Sequence, residues 1–212
     1  MIIVFEGIDG CGKTTLAEIV REALEVEGRP FNCPAEVLHF PVDDTVTGPV
    51  IREYLAGKHR SHDSPYANAL MFQALQLINR VELQDRLRAA SSDQINLVLS
   101  RYWQSGVVYG GFDGLRDTEW MIDVSLKIME PAAVNILIDV PAEVAYERIV
   151  ARNKAKESYE RLEFMGRLRD AYLELWDSYI RVRKPVEGWF VLDGTLPVAD
   201  LRAQLLDELC HA

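Results

Sequence analysis

Five short apolar runs recur along the chain, and each has the composition of a buried strand. They are rich in Val, Ile and Leu and do not alternate with polar residues, which is typical of parallel strands covered on both faces. The runs are Ile2–Phe5, Val37–Phe40, Ile95–Leu99, Val134–Val140 and Trp189–Leu192.

Segments with apolar residues at helical spacing separate these strands. The predicted helices are Lys13–Glu27, Pro65–Ala89, Ala142–Arg152, Ser158–Arg181 and Val198–Leu209. Strand and helix alternate, which predicts an α/β fold with one doubly wound sheet. We find no internal repeat and no interdomain linker, so we expect a single domain over residues 1–212.

Composition narrows the classes of partner. Of the 212 residues, 49% are hydrophobic and 26% are charged, as in an ordinary globular protein. The formal net charge of −10 argues against a duplex-binding surface, and we expect no nucleic-acid partner. A nucleotide ligand stays compatible with this charge, because a few cations and backbone N–H groups can hold its phosphates. No stretch approaches the roughly 18 apolar residues of a membrane span, so no membrane partner is expected.

The cysteines and the N-terminus indicate the compartment. Cys11, Cys33 and Cys210 form no CxxC or Cys/His spacing, so neither a disulfide framework nor a zinc site is predicted. The N-terminus lacks a basic region before its apolar run and does not resemble a signal peptide. We therefore expect a reducing, cytoplasmic location.

Residues 7–14 carry the strongest chemical motif. They read Gly-Ile-Asp-Gly-Cys-Gly-Lys-Thr and fit G-x-x-x-x-G-K-[ST], with a predicted strand before them and a predicted helix after them. Glycine-rich backbone and a helix N-terminus attract polyphosphate, while Lys13 reaches the β and γ phosphates and the Thr14 hydroxyl ligates Mg²⁺. The motif predicts ATP and Mg²⁺ binding but does not identify the second substrate.

The ordered set of motifs resembles the thymidylate kinase family. Phe5–Thr15 is similar to that family's E-G-x-D/E-x-x-G-K-[ST]-T opening. Further resemblances follow in the family's order at Phe40-Pro41 with Thr45 and Gly48, Ile51–Glu53, Asn79–Glu82, Arg101-Tyr102 with Ser105, Gly106 and Tyr109, Glu157–Glu160, Arg167–Arg169, Tyr172–Leu175 and Asp193–Thr195. Together they cover nearly the whole chain.

This resemblance implies a fold and an activity. The fold would be a three-layer P-loop NTPase with a five-stranded parallel sheet, helices on both faces and a short lid at about residues 150–160. The reaction would be ATP- and Mg²⁺-dependent phosphorylation of a deoxynucleoside monophosphate, most often dTMP to dTDP, or of a related or modified pyrimidine. The family is usually homodimeric, and the apolar face of Pro65–Ala89 is long enough for an interface.

The resemblance also assigns residues to roles. Those implied for ATP are Gly7, Asp9, Gly10, Cys11, Gly12, Lys13, Thr14, Thr15, Arg148, Arg152 and Thr195, with Lys154 and Lys156 as further lid cations. Those implied for the acceptor are Asp9, Phe40, Pro41, Arg52, Phe72, Gln76, Arg80, Arg101, Ser105, Tyr109 and Tyr159. The catalytic set is Lys13, Arg101, Asp9 and Arg152, and the metal set is Thr14 and Ser100.

Within these sets, Arg80 would bind a carbonyl of the base and Arg101 would bridge the two phosphates. Ser105 would touch the base, and Tyr109 would pack on the deoxyribose where a 2′-hydroxyl would clash. Gly10 resembles the form of the family whose basic residues lie in the lid.

Three positions depart from the family pattern. Ser100 replaces an Asp that supports the Mg²⁺ shell, and Asp43 lies near where relatives place an Arg against the acceptor phosphate. Gln76 replaces a Phe that stacks on thymine. Either Phe72, one turn earlier on the same helical face, provides the stack, or Gln76 hydrogen-bonds a different base.

Two alternatives to a monophosphate kinase stay open. A deoxynucleoside kinase needs a carboxylate to accept the proton of a 5′-hydroxyl, and Glu6 is a candidate. Turnover of thymidine but not dTMP would favour it. A catalytically weak regulatory protein is the other alternative, motivated by Ser100 and Asp43. Activity restored by Ser100→Asp would favour that one.

Overall fold

The computed structural model describes residues 1–25, 33–58, 64–152, 159–182 and 188–211. Strands and helices follow one another as β1 Ile2–Glu6, α1 Lys13–Leu24, β2 Ala35–His39, α2 Gly48–Leu55, α3 Pro65–Val81, α4 Gln84–Ser91, β3 Asn96–Ser100, α5 Trp103–Phe112, α6 Glu119–Ile128, β4 Val134–Asp139, α7 Ala142–Ala151, α8 Leu162–Val182, β5 Trp189–Asp193 and α9 Val198–His211.

The five strands form one sheet in the order β2-β3-β1-β4-β5, and all neighbours pair in parallel. Every residue of β1 is buried. Because consecutive side chains of a strand point to opposite faces, burial of all of them requires cover on both faces. The predicted five-stranded parallel α/β fold is confirmed.

The prediction of one helix over Pro65–Ala89 was wrong. The chain forms α3 and α4 with a break at Glu82 and Leu83. Leu83 N–H bonds to the carbonyl of Arg80, which is a tighter turn than an α-helix makes. The turn lets Leu83 and Leu87 enter the core, where both are buried.

Three helices were not predicted from the sequence: α2, α5 and α6. Residues 103–110 of α5 are all buried, so the helix has no polar face and no amphipathic pattern to recognise. The helix α5 packs against α3, α6 and α8. Within the parts of the chain that the structure covers, no helix is long and apolar enough to cross a membrane.

The strand order places the functional region. In open parallel sheets, ligands bind beyond the carboxyl ends of the strands, where the connections diverge to opposite sides. Here that point is the neighbouring pair β1 and β3, which is followed by the glycine-rich loop and by Arg101.

Candidate active site

The loop of residues 7–14 joins β1 to α1 and curves over the helix N-terminus. Gly10 and Gly12 have φ angles of 81° and 112°, a region that side chains rarely adopt. A Cβ at Gly10 would lie 2.3 Å from the carbonyl oxygen of Ala145 in α7. No basic side chain can therefore extend from position 10, so donor cations must come from other segments.

The Lys13 side chain is buried inside this loop. Its Nζ donates to the carbonyl oxygens of Gly7 at 3.0 Å and Ile8 at 2.8 Å, and it lies 4.0 Å from Asp9 Oδ1. Burial, with the charge of Arg101 added, lowers the pKa of Lys13. An ammonium held this way is poised to exchange carbonyl partners for phosphate oxygens.

A cavity of about 530 Å³ opens beside the loop at the carboxyl edge of the sheet. All eleven residues predicted for the acceptor line it: Asp9, Phe40, Pro41, Arg52, Phe72, Gln76, Arg80, Arg101, Ser105, Tyr109 and Tyr159. So do seven predicted for ATP or metal: Gly10, Gly12, Lys13, Thr14, Thr15, Ser100 and Arg152. The fold therefore joins the phosphate loop and the acceptor residues in one continuous space.

Four predicted ATP residues lie outside the cavity wall. Gly7 and Cys11 are buried in the loop itself. Arg148 donates to the carbonyl oxygens of Gly194 at 2.9 Å and Cys11 at 3.4 Å, which ties α7 to the loop and to the turn after β5. The Thr195 hydroxyl donates to Asp193 at 2.6 Å in that same turn. Lys154 and Lys156 lie outside the described residues.

Arg101 is the centre of a dense polar cluster. Its φ of 72° is unusual for a residue with a side chain and costs about 1–3 kcal/mol where the surroundings enforce it. The guanidinium donates to Asp9 Oδ1 at 2.6 Å, Tyr109 Oη at 3.1 Å and Tyr172 Oη at 3.0 Å. Although burial opposes its charge, Asp9 raises the pKa of Arg101 well above its ordinary value. The side chain is a fixed cation facing the cavity.

Asp9, in the loop of residues 7–14, forms an ion pair with this cation. Burial raises the pKa of this carboxyl, but the charges of Arg101 and Lys13 outweigh burial and lower it to about 2. Asp9 is therefore a permanent carboxylate at neutral pH, suited to accept hydrogen bonds and unsuited to donate a proton.

Glu6 forms a support behind the cluster that the sequence reading did not identify. It is fully buried, and its Oε1 accepts from the backbone N–H groups of Tyr102 at 2.7 Å and Ser105 at 3.1 Å. Its Oε2 accepts from the hydroxyls of Ser105 at 2.6 Å and Tyr172 at 3.1 Å. With both oxygens engaged behind the cavity wall, Glu6 cannot act as a base on a bound hydroxyl. The Ser105 hydroxyl donates to Glu6 and accepts from Arg101, and its contact with a bound base stays a prediction.

Arg80 brings a second buried guanidinium to the opposite wall. Its Nη2 donates to the carbonyl oxygen of Tyr102 at 2.7 Å, and its charge lies 5.7 Å from the centre of the Phe40 ring. Burial lowers the pKa of Arg80 to about 10, which leaves it charged at neutral pH. A cation here favours a ligand carbonyl oxygen.

The same wall contains both candidates for the base contact. Phe72 is buried and stacks on Tyr54, with ring centres 4.4 Å apart and an interplanar angle of 13°. One face of the Phe72 ring is therefore already covered. Gln76 is also buried and lines the cavity one turn further along α3.

Comparison with known proteins decides the family. The profile described as "Thymidylate kinase" matches residues 5–204, which is most of the chain. The chain belongs to the thymidylate kinase family. The predicted enzyme class, a nucleoside monophosphate kinase of this type, is confirmed.

Relatives agree over nearly the whole length of the chain. A "Probable thymidylate kinase" of Methanococcus maripaludis strain S2 is 32% identical over 99% of this chain and 93% of its own. One from Thermococcus kodakarensis is 34% identical over 84% of this chain and 85% of its own. The "Thymidylate kinase" of Arabidopsis thaliana is 31% identical over 84% of this chain and 62% of its own.

A solved structure shares the fold. The thymidylate kinase of Candida albicans superposes with a TM-score of 0.71 at 22% identity, covering 97% of this chain and 89% of that one. The fold of this chain is therefore shared with a protein of low sequence identity.

In this family member, the Asn79–Glu82 motif works as a clamp on the acceptor loop. Asn79 is fully buried; its side chain accepts from Val42 N–H at 2.8 Å and donates to Thr45 Oγ1 at 2.7 Å. Glu82 accepts from Val46 N–H at 2.7 Å and from the Thr47 hydroxyl at 2.5 Å. These two side chains fix residues 42–47, and Arg80 between them projects into the cavity.

Asp43, which departs from the family pattern, pairs with Arg52. Arg52 Nε donates to Asp43 Oδ1 at 2.5 Å, and its Nη2 donates to the Pro41 carbonyl at 3.2 Å. Arg52 lines the cavity and Asp43 does not. The Arg52 charge offsets that of the Asp43 carboxylate, which reduces the repulsion that this carboxylate would exert on a nearby phosphate.

Three cavity residues were not identified from the sequence: His39, Leu55 and Gln73. A fourth, Gly106, belongs to the motif that follows Arg101 but was given no role. His39 ends β2 beside Ser100, and burial lowers its pKa. Its position at the carboxyl end of a predicted strand is the sequence feature that could have identified His39 as a cavity residue. Gln73 carried no such signal, because a buried helix face shows only after packing is known.

The donor atoms around Thr14 suit a magnesium ion that keeps water and phosphate ligands. Thr14 is exposed at the start of α1, and Ser100 faces the same cavity. Among the described residues, no group of three or more His, Cys, Asp or Glu side chains could hold a metal by itself. Mg²⁺ bound with nucleotides draws most of its ligands from phosphate and water, so hydroxyl oxygens fit it.

Proposed function

We propose that this protein transfers the γ-phosphoryl group of ATP to the 5′-phosphate of dTMP. The continuity of the phosphate loop with the acceptor residues in one cavity supports this most directly. Reacting groups held in line within one enclosed space need not meet by diffusion, which removes much of the barrier. The single domain over residues 1–212, its lid at about 150–160 and the cytoplasmic location belong to the same proposal.

The donor would lie over residues 7–14 with its β and γ phosphates against Lys13. The loop N–H groups and the start of α1 supply positive potential to the phosphates. Mg²⁺ would be held by Thr14 and, through water, by Ser100, and it would neutralise charge between the phosphates. Arg152 at the cavity edge would add a cation from the lid, and Arg148 would fix α7 against the loop.

The acceptor would fill the part of the cavity between Phe40 and Tyr109. Arg101 would bind its phosphate, since this guanidinium faces the cavity beside Lys13 and Asp9. Asp9 would accept a hydrogen bond from the sugar hydroxyl. Tyr109, whose ring packs edge-on against Tyr159 at 4.9 Å, would cover the deoxyribose.

This chemistry requires no general base. A monophosphate is already an anion near neutral pH, so the site needs alignment and charge neutralisation. The engagement of Glu6 by Ser105 and Tyr172 argues against the deoxynucleoside kinase alternative, because that reaction needs a free carboxylate.

A steady-state assay of ADP release against a panel of acceptors tests the proposal. The panel contains dTMP, dUMP, dCMP, dGMP and thymidine, each with saturating Mg-ATP. We expect turnover with dTMP and none with thymidine. Turnover of thymidine alone, or ATP binding without turnover of any monophosphate, would overturn the assignment.

We also propose a homodimer formed through α3. Exposed apolar side chains follow one face of this helix at Tyr66, Leu70, Ile78 and Val81. Their spacing is helical, and the neighbouring face of α3 carries Gln73, Gln76 and Arg80, which line the cavity. A contiguous apolar stripe of this kind is typical of an interface.

A further inference from the structure

Gln73 is a buried polar side chain without a protein partner at the acceptor end of the cavity. It is 2% exposed, and neither its Nε2 nor its Oε1 has a hydrogen bond within the described part of the chain. Leaving a buried amide without a hydrogen-bond partner is destabilising, so such groups need a functional reason. Arg80, two turns further along the same face of α3, likewise has an unpaired Nε.

The Gln73 amide and another nitrogen of the Arg80 guanidinium, Nη1, lie close to the same point above α5. A Cβ added to Gly106 would lie 3.3 Å from Gln73 Oε1 and 3.8 Å from Arg80 Nη1. Gly106 lines the cavity together with both side chains. Because Gly106 has no side chain, the Gln73 amide and the Arg80 guanidinium can both contact a ligand in the part of the cavity beside Gly106.

The chemistry of these groups selects a ligand edge. A carboxamide offers one acceptor and two N–H donors, and a guanidinium offers donors only. Their complement is an N–H flanked by a carbonyl, which is the N3–H and carbonyl edge of a 4-oxo pyrimidine. A 4-amino pyrimidine would turn its own N–H donors toward Arg80, and donors facing donors are unfavourable in a buried site.

We propose that Gln73 is a specificity-determining residue of the acceptor site, whose carboxamide pairs with the N3–H and adjacent carbonyl of a 4-oxo pyrimidine. The proposal rests on the monophosphate kinase function argued above. Gln76 lies on the same helix, one turn away, and contributes a polar wall where relatives have a stacking ring. The amide contact of Gln73 gives the pocket a selectivity that stacking alone does not provide.

A substrate that lacks only N3–H isolates this contact. We compare kcat/KM for dTMP and for its N3-methyl derivative in wild type, Gln73→Ala and Gln73→Asn. The wild type is expected to prefer dTMP by about 100-fold, and Gln73→Ala to reduce that preference at least about tenfold, as expected for one buried hydrogen bond. Gln73→Asn keeps the amide but shortens it, and an intermediate preference is expected.

Gln76→Ala is the matched variant. Loss of the preference in Gln76→Ala but not in Gln73→Ala would assign the contact to Gln76 and overturn the proposal. Gln73, Arg80 and Gly106 also border a small cavity of about 10 Å³, whose other walls include Trp103, Trp120 and Ser125 and which has room for one water molecule. If Gln73 served only to bind solvent there, its substitution would lower turnover of both substrates equally, which would also overturn the proposal.

Two further outcomes separate this inference from the proposed function. If wild type turns over neither dTMP nor any other monophosphate, the kinase assignment itself fails. If wild type turns over dTMP and its N3-methyl derivative equally well, the kinase assignment stands and the role of Gln73 is wrong. That comparison needs no variant, so it holds even if the Gln73 substitutions do not fold.

Discussion

At the scale of single residues, Ser100 is one of three positions that the sequence comparison predicts to depart from the family pattern. It ends β3 beside Arg101 and faces the cavity with a neutral hydroxyl. A hydroxyl can orient a water molecule on Mg²⁺ but adds no charge to hold the ion. The affinity of the site for Mg²⁺ should therefore be lower than it would be with a carboxylate at position 100.

Ser100→Asp should lower the Mg²⁺ concentration for half-maximal rate about tenfold, because a carboxylate adds direct attraction. The measurement is a Mg²⁺ titration at fixed ATP and dTMP. Ser100→Asn, similar in size to Asp but uncharged, should keep the wild-type midpoint. An unchanged midpoint in Ser100→Asp would show that this position does not face the metal.

The pH dependence of catalysis should come from the acceptor and not from Asp9. The folded pKa of Asp9 is about 2, below its ordinary 3.8, so its stabilising charge is present above 3.8 and lost only as pH falls toward 2. The second ionisation of a phosphate monoester lies at about 6. We expect kcat/KM for dTMP to fall with unit slope below about pH 6.

In Asp9→Asn, the plateau of the pH profile should be lower while its inflection stays in place. The measurement is kcat/KM from pH 5 to 8 in both proteins, with unfolding followed in parallel. A displaced inflection in Asp9→Asn would mean that Asp9 itself titrates in this range.

At the scale of elements, the break between α3 and α4 organises the acceptor side. The end of α3 presents Asn79 and Glu82 to residues 42–47, while Arg80 between them enters the cavity. The segment so clamped leads into α2, whose Arg52 reaches the cavity. A change in this clamp should therefore affect acceptor binding more than ATP binding.

Asn79→Ala should lower the free energy of unfolding by about 2–3 kcal/mol, because it removes the acceptor of the half-buried Val42 N–H and the Asn79 amide bonds to residues 42–47. The KM for dTMP should rise while the KM for ATP changes little. Denaturant unfolding and steady-state kinetics measure the two effects. Equal increases in both KM values would contradict a clamp that acts on the acceptor side alone.

The sequence predicted the strands and the phosphate loop because both are local patterns. Buried parallel strands show as apolar runs, and the loop is one contiguous motif. The helix break at Glu82 and the helix α5 were missed because tertiary contacts decide them. Val42, Val46 and Thr47 donate hydrogen bonds to the side chains of Asn79 and Glu82 at the end of α3. Residues 103–110 of α5 are all buried, which removes the periodic pattern.

The cavity residues divide in the same way. The acceptor residues that the family resemblance implied all line the cavity. Gln73 did not stand out in the sequence, because its significance lies in having no partner once α5 packs against α3. The sequence offered Glu6 as a candidate base. Only the fold shows that it accepts four hydrogen bonds from Tyr102, Ser105 and Tyr172 and so holds these residues in place behind the cavity wall.

At the scale of the whole molecule, the proposed dimer would make α3 part of both the active site and the subunit interface. One face of the helix lines the cavity and the other carries the apolar stripe. Dimerisation would bury that stripe and hold the helix that carries Gln73 and Arg80. Assembly and acceptor affinity should therefore change together.

Light scattering after size exclusion should give twice the chain mass of 24.1 kDa. Ile78→Arg should yield monomers and a higher KM for dTMP, because a charge at this 49% exposed position opposes burial. Val198→Arg, at a similarly exposed apolar position on α9, is the control and should stay dimeric. A wild-type mass of one chain at micromolar concentration would exclude the dimer.

The most direct measurement of the central claim is a single turnover with ATP radiolabelled in the γ-phosphate and excess dTMP. The account predicts that the label appears in dTDP, and that Lys13→Ala slows this transfer by at least about 10²-fold, as expected for loss of a preorganised cation. Label found only in inorganic phosphate, or transfer at the wild-type rate in Lys13→Ala, would contradict it.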